Sequence, residues 1–331
     1  MLRSYARLGE FASNPADFGA IVSIIEPLKQ MIVDLDFDEY LGELSETLKL
    51  ELDILQSLCR AQDALYDMDF KSSTLDMYAA RTSLARWMDK LGLQASSNSK
   101  EHRVLMWLSV FASATRWKFD CYFYRLLKSS DSLTSKSATS IEDKHVEALS
   151  FRSILSSQCL NLPLSNLSFI YVIPAGGSYF KDGYTCRGRD SYEQLRGIQS
   201  FPAILSYPED TPPMSHWPNI IGVFQDHFEL RYLEGQSRPI LVQRTVQQRP
   251  MLGSNFAKLA SRSQLASSGL VQFYDEAVDV TYCMHKMDRF LAAVIIYQGR
   301  VSNTDVMART LALFTLLAEK LQLTDVLRVL K

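Results

Sequence analysis

Leu291-Ala292-Ala293-Val294-Ile295-Ile296-Tyr297 is an apolar run of strand length with β-branched residues at its centre. A run this short and without polar alternation reads as a strand covered on both faces, which places it in the middle of a sheet. Four further runs rich in β-branched and aromatic residues read as strands around it: Leu167 to Ile173, Asn219 to Phe224, Leu270 to Tyr274 and Val278 to Met284. Past the central run, Ser302-Asn303-Thr304-Asp305 opens a helix, with Ser302 and Asp305 near capping-box spacing. Val306, Thr310, Leu313, Phe314, Leu317 and Leu321 share one face of that helix, which is expected to close over the sheet. Another helix, Ile141 to Ser156, precedes the first strand. The order of elements predicts an α+β sandwich, a mostly antiparallel sheet with helices packed on it.

Upstream, the period changes from two to about 3.6. Leu48, Leu52, Leu55, Cys59 and Leu65 line one side of a long helix between Glu46 and Phe70, and similar patterns cover Ile21 to Val33, Leu75 to Leu91 and Val104 to Leu127. Pro15 and the stretch from Gly92 to Asn98 act as breaks. Helices with such short connections predict an antiparallel bundle over residues 1–128. Within it Trp107, Phe111, Trp117, Phe119, Tyr122, Phe123 and Tyr124 read as core rather than as a stacking surface. The serine-rich run SSDSLTSKSATS at 129–140 has no periodicity and reads as the linker to the mixed domain, 141–331.

The bulk numbers narrow the function classes. A net charge of -2 and 47% hydrophobic residues describe a globular chain without the basic excess of a nucleic-acid binder. The five cysteines, Cys59, Cys121, Cys159, Cys186 and Cys283, are odd in number and widely spaced, as reduced cytosolic thiols are. Neither a secretory leader nor a membrane span is read, so any membrane location is expected to come through partners.

No motif of catalysis or ligand binding is complete. Asp34, Asp36 and Asp38 begin like a calcium loop, but its sixth and twelfth positions are Glu39 and Ser45 where Gly and Glu are required. Ala175-Gly176-Gly177-Ser178 lacks both phosphate-loop patterns and reads as a turn, with Lys181, Arg187, Arg189 and Arg196 as scattered cations nearby. Cys283 and His285 share a strand face, yet two ligands do not make a metal site. A GxSxG elbow is missing. The chain is therefore read as a non-enzyme with no metal and no cofactor.

Pro213-Met214-Ser215-His216-Trp217-Pro218-Asn219, running into Ile220-Ile221-Gly222-Val223-Phe224, reads as a proline-bracketed aromatic turn feeding a strand, with Pro218 biasing Trp217 to an extended conformation. It resembles the turn and strand of the KICSTOR subunit 2 family. Three stretches agree with that family in the same order: Leu50 to Leu55 with Leu58, Ala61 and Gln62; Met106 to Leu108 through Lys118-Phe119 and Tyr122-Phe123; and Val271 to Glu276 with Thr281-Tyr282 and Val294 to Ile296. The resemblance implies a scaffold subunit that, with the other KICSTOR subunits, holds the GATOR complex at the lysosomal surface. Such a subunit restrains mTOR complex 1 in starved cells. The chain also departs from the family: members carry a helical region before the point where this sequence begins, so part of the helical domain is expected to be missing or supplied differently.

The stretch from Phe228 to Leu265 is longer than the family's connection and reads as a basic insertion, with six basic residues against two acidic ones. Candidate partner-binding residues are His216, Trp217, Pro218 and Asn219, with Trp217 as anchor, and Arg231, Arg238, Arg244 and Arg249 in the insertion. A tryptophan bracketed by prolines is more often a plug that holds a fold than an interface anchor. The alternative class is a trafficking adaptor or small-GTPase regulator, on a likeness of the expected sheet to longin, roadblock and GAF-like modules.

Overall fold

The computed structural model describes residues 18–34, 39, 42–92, 103–124, 151–160, 162–173, 201–209, 211–232, 239–244 and 269–329. The expected linker at 129–140, the carboxylates Asp36 and Asp38, the turn at 175–178 with its nearby cations, and Arg238 and Arg249 lie outside them. The chain forms two compact units. Among the described residues, the first holds the N-terminal helices and the chain from Glu319 on, and the second runs from the helix at Phe151 to Ala318.

Helices α1 (Phe18–Asp34), α2 (Glu43–Tyr66), α3 (Phe70–Lys90) and α4 (Arg103–Tyr122) build the first unit. Helix α2 is its spine and packs against the other three. Only Asp67, Met68 and Asp69 separate α2 from α3, so the chain reverses there. Asp69 caps α3, its carboxylate accepting from the Ser72 amide at 3.0 Å and from the Ser72 hydroxyl at 2.7 Å.

The aromatic-rich segment is core, as its helical period requires. Phe18 lies 6.4 Å from both Tyr66 and Phe111, and Phe70 sits 5.5 Å from Phe119 and 5.2 Å from Phe123. Lys118 is fully buried among them, donating to the Tyr66 hydroxyl at 3.2 Å with its ammonium 4.4 Å from that ring's centre. The Trp107 indole donates at 2.9 Å to the carbonyl of Val326, on the short C-terminal helix Thr324–Arg328.

The second unit begins with α5 (Phe151–Cys159) and carries strands β1 (Asn166–Tyr171), β2 (Ala203–Tyr207), β3 (Phe228–Arg231), β4 (Ile240–Gln243), β5 (Val271–Asp275), β6 (Val280–Lys286) and β7 (Leu291–Gln298). Five of them form one antiparallel sheet in the order β2-β1-β7-β6-β5. The wholly apolar run is β7, and it is central and buried on both faces. Strand alternation sends Tyr282, Met284, Val294 and Ile296 to one face and Cys283, His285, Ile295 and Tyr297 to the other.

Helix α7 (Thr304–Leu321) covers the second of these faces. Tyr297 meets Thr310 with 2.6 Å between hydroxyls, the Cys283 thiol points at the Met307 sulfur, and the His285 ring stacks on Phe314 at 5.7 Å. The cap differs from the expected Ser302: the Asn303 side chain accepts from the Asp305 amide at 2.8 Å. Asn303 is the residue directly before the helix, so its side-chain oxygen reaches the backbone amide two residues on without a reciprocal capping box.

The expected strand Asn219 to Phe224 is a helix, α6 (Trp217–His227). Trp217, Ile220, Ile221 and Phe224 are its buried positions, which is the i, i+3, i+4, i+7 stripe of a helix rather than an alternation. Pro218 sits in the first turn, where its fixed φ suits the helix and its missing amide costs no hydrogen bond. Its bias on the preceding residue therefore marks a helix start, not a continuing strand. Strands β2, β3 and β4 had no counterpart in the expected set. Of the basic insertion, residues 228–231 and 240–243 form the antiparallel pair β3–β4.

Candidate functional site

The candidate site is the His216–Asn219 segment at the start of α6, seated on the face of β5 and β6 opposite α7. A turn leads into it, with the His216 amide donating to Pro213 at 2.9 Å and the Ile220 amide to His216 at 3.0 Å. Four side chains are thereby aimed differently. Trp217 is 3% exposed, and its indole donates at 3.2 Å to the Phe201 carbonyl. It packs in a cluster with Ile170, Ala203, Ile220, Phe224 and Tyr282. His216 Nδ1 lies 2.9 Å from the Tyr282 hydroxyl. Asn219 donates at 2.9 Å to a carboxylate oxygen of Asp275, at the end of β5.

The segment is thus pinned to two strands through Tyr282 and Asp275, with Phe273 stacked beside the Tyr282 ring at 6.2 Å. Burial pushes the Tyr282 phenol above its ordinary pKa; the Asn219 hydrogen bond opposes this and Asp275 adds to it. The tyrosine stays neutral, its hydroxyl within hydrogen-bonding distance of the imidazole. What the segment offers outward is Met214, which is 64% exposed, together with Pro218 and Asn219. The Trp217 indole faces the core.

The described arginines of the insertion converge on one carboxylate. Arg231 Nε pairs with one oxygen of Glu229, and Arg244 Nε lies 3.5 Å from the other. The β3–β4 pair is anchored in turn to the β6–β7 connection: the Leu241 amide donates to Arg289 at 2.8 Å, and buried Arg289 donates to Pro239 at 3.2 Å. The positive charge at Arg231 and Arg244 is thus partly neutralised on the β3–β4 pair.

Tyr282, Asp275 and Phe201 complete the site; Tyr282 and Asp275 belong to stretches of family resemblance but were not among the candidate partner-binding residues, nor was Phe201. Strand register supplies the missing link, since Phe273 pairs with Tyr282 and Asp275 with Val280. Among the described residues no cluster of three or more metal-ligating side chains occurs, and no helix is long and apolar enough to cross a membrane. Cys283 and His285 do share a face, but each is occupied by a side chain of α7.

The geometry defines an α+β protein in which a helical unit is joined to a helix-flanked antiparallel sheet, with the tryptophan-proline turn built into the sheet's cover. A family model described as KICSTOR complex C12orf66 like matches residues 13–236, and the chain belongs to that family. A Xenopus laevis relative named KICSTOR subunit 2 is 24% identical over 301 residues, covering 86% of this chain and 58% of the relative. A Danio rerio relative of the same name is 24% identical over 281 residues, covering 80% of this chain and 53% of the relative. The chain spans little more than half the length of these curated relatives.

Proposed function

We propose that the chain is a non-enzymatic scaffold subunit of a KICSTOR-like complex, working by holding partner proteins without making or breaking a bond. In this reading it joins the other KICSTOR subunits, helps recruit GATOR to the cytosolic face of the lysosome, and restrains mTOR complex 1 when nutrients are scarce. Its hold on the membrane is peripheral and comes through those partners.

The observation that carries the reading is the extent of the family match. It runs from the helical unit through the sheet's first strands and α6 to β3, and so takes in both kinds of structure and the turn between Pro213 and Asn219. A likeness confined to one sheet would speak only for a fold. A scaffold needs well-packed surfaces and a few buried anchors, and an interface needs nothing more.

The test is affinity purification of the tagged chain from cells that express it, fed and starved, followed by mass spectrometry. Recovery of the remaining KICSTOR subunits and of GATOR is the expected result. Their absence in both conditions, with nucleotide-dependent recovery of a small GTPase instead, would replace the reading with that of a GTPase adaptor.

A further inference from the structure

We infer that the outward face of α3 is a docking surface for an acidic amphipathic helix of a partner protein. Helix α3 buries a narrow stripe, Ser73, Ala80, Leu84 and Trp87, against its neighbours. The opposite side carries Leu75 and Tyr78, which are 60% and 71% exposed. At 100° per residue, Lys71, Leu75, Tyr78, Thr82 and Ala85 fall on one line along this side, with Arg81 on one flank and Arg86 on the other. The Thr82 hydroxyl is satisfied within the helix, donating to the Tyr78 carbonyl at 2.9 Å.

Charge identifies the occupant. Three other cations of this unit are matched, Lys29 with Asp53, Arg60 with Glu26 and Lys90 with Glu46. Lys71, Arg81 and Arg86 are exposed and have no carboxylate within ion-pair distance among the described residues. Asp76 is turned toward Arg60 and Asp69, and Asp89 in the last turn is the acid on the outward side. An apolar line bordered by arginines is complementary to a helix with leucine-like residues at i, i+3, i+4 and i+7 and glutamate or aspartate on its borders. A second copy of this face would set like charges against each other, which disfavours self-association. Three cations are also fewer than the four to eight that mark an anionic-lipid site. Tyrosine and arginine are the residue types that concentrate binding energy at protein interfaces.

The inference rests on the scaffold reading only in supposing that the chain works by holding partners, and the two are tested separately. In the full chain, a photo-crosslinking p-benzoylphenylalanine replaces Tyr78, and in a control it replaces Leu160, which is 79% exposed on the other unit. After irradiation in cells, the attached peptide is identified by mass spectrometry, synthesised and titrated against purified full-length chain. The expected result is an acidic amphipathic segment attached at position 78 and not at 160. Its affinity should fall at least tenfold with Arg81→Glu/Arg86→Glu or with Leu75→Ser, and fall as salt is raised, while the thermal midpoint of each variant stays near wild type. The inference is overturned by any of four results: no adduct at 78; an adduct with a second copy or with lipid; a basic segment; or unchanged affinity in the charge-reversed variant. Recovery of KICSTOR subunits without an adduct at 78 sinks this surface and leaves the scaffold reading standing. An acidic-helix adduct without KICSTOR subunits does the reverse.

Discussion

His216 and Tyr282 are 66 residues apart in sequence, yet the imidazole Nδ1 and the phenol oxygen lie 2.9 Å from each other. The contact ties the residue that precedes α6 to the middle of β6, and Tyr282 itself is fully buried. Replacing Tyr282 by phenylalanine keeps the stacking with Phe273 and removes only the hydroxyl. A loss of about 1 kcal/mol in denaturant unfolding is expected. His216→Ala in the Tyr282→Phe background should cost clearly less than His216→Ala alone, which a double-mutant cycle would read directly.

Trp217→Ala should cost about 3–5 kcal/mol, because a large indole is lost from a site that cannot fully collapse. Trp217→Phe retains most of the apolar volume and forfeits the hydrogen bond to Phe201, so a loss of roughly 1–2 kcal/mol is expected there. Urea titrations of the two variants decide whether the plug is as important as its 3% exposure indicates. Any loss of partner binding should be judged in the phenylalanine variant, where the fold is retained.

Thiol labelling follows burial. Burial pushes the Cys283 thiol up to about 12 and the Cys159 thiol up to about 11, and raises Cys59 further, with Asp63 adding to the effect. At pH 8 the native chain should leave Cys59, Cys121, Cys159 and Cys283 unmodified by iodoacetamide for as long as it stays folded, and all four should react once it is denatured. Peptide mapping reads each site separately. Rapid native labelling of Cys283 would contradict its packing against Met307.

Asp120, near the end of α4, is pushed up to about 6 by burial, which the Arg116 guanidinium only partly opposes. In the unfolded chain its pKa returns to the ordinary carboxylate range near 4. Between these values the folded state holds a proton that the unfolded state has released, so stability from this group is present at low pH and is lost as pH rises from about 4 to about 6. Asp120→Asn should raise stability at pH 7.5 by about 1–2 kcal/mol and have little effect near pH 4. Thermal melts of both proteins at the two pH values test the sign as well as the size.

How much of this was legible in the sequence depends on the length and purity of each pattern. The four N-terminal helices and β7 announce themselves because their apolar periods persist for many residues or leave no polar gap. Helix α6 was misread because Pro218 constrains two neighbours at once: it disfavours helix for the residue before it and suits the first turn of a helix beginning there. The stripe Trp217, Ile220, Ile221, Phe224 held the answer and needed to outweigh the local bias. Strand β2 is five residues with Pro202 and Pro208 on either side, and β3 and β4 are four residues each, too short for periodicity to register. The tryptophan-proline turn stood out as a motif, but its partners Tyr282 and Asp275 belong to strands far along the chain. Only the register of β5 against β6 brings them together.

The place of β7 bears on how the protein is made. Phe169 of β1 pairs with Leu205 on one side and with Ala293 on the other, so the second partner emerges from the ribosome more than a hundred residues after the first strand. Helices α1 to α4 can begin to pack once they are synthesised, with Trp107 meeting Val326 only at the end, whereas the paired β1 and β2 must wait with an apolar edge exposed until the central strand arrives. That interval is when the nascent chain leaves its longest apolar sheet edge uncovered, and a chain stopped short of Leu291 would leave β2-β1 and β6-β5 with nothing between them.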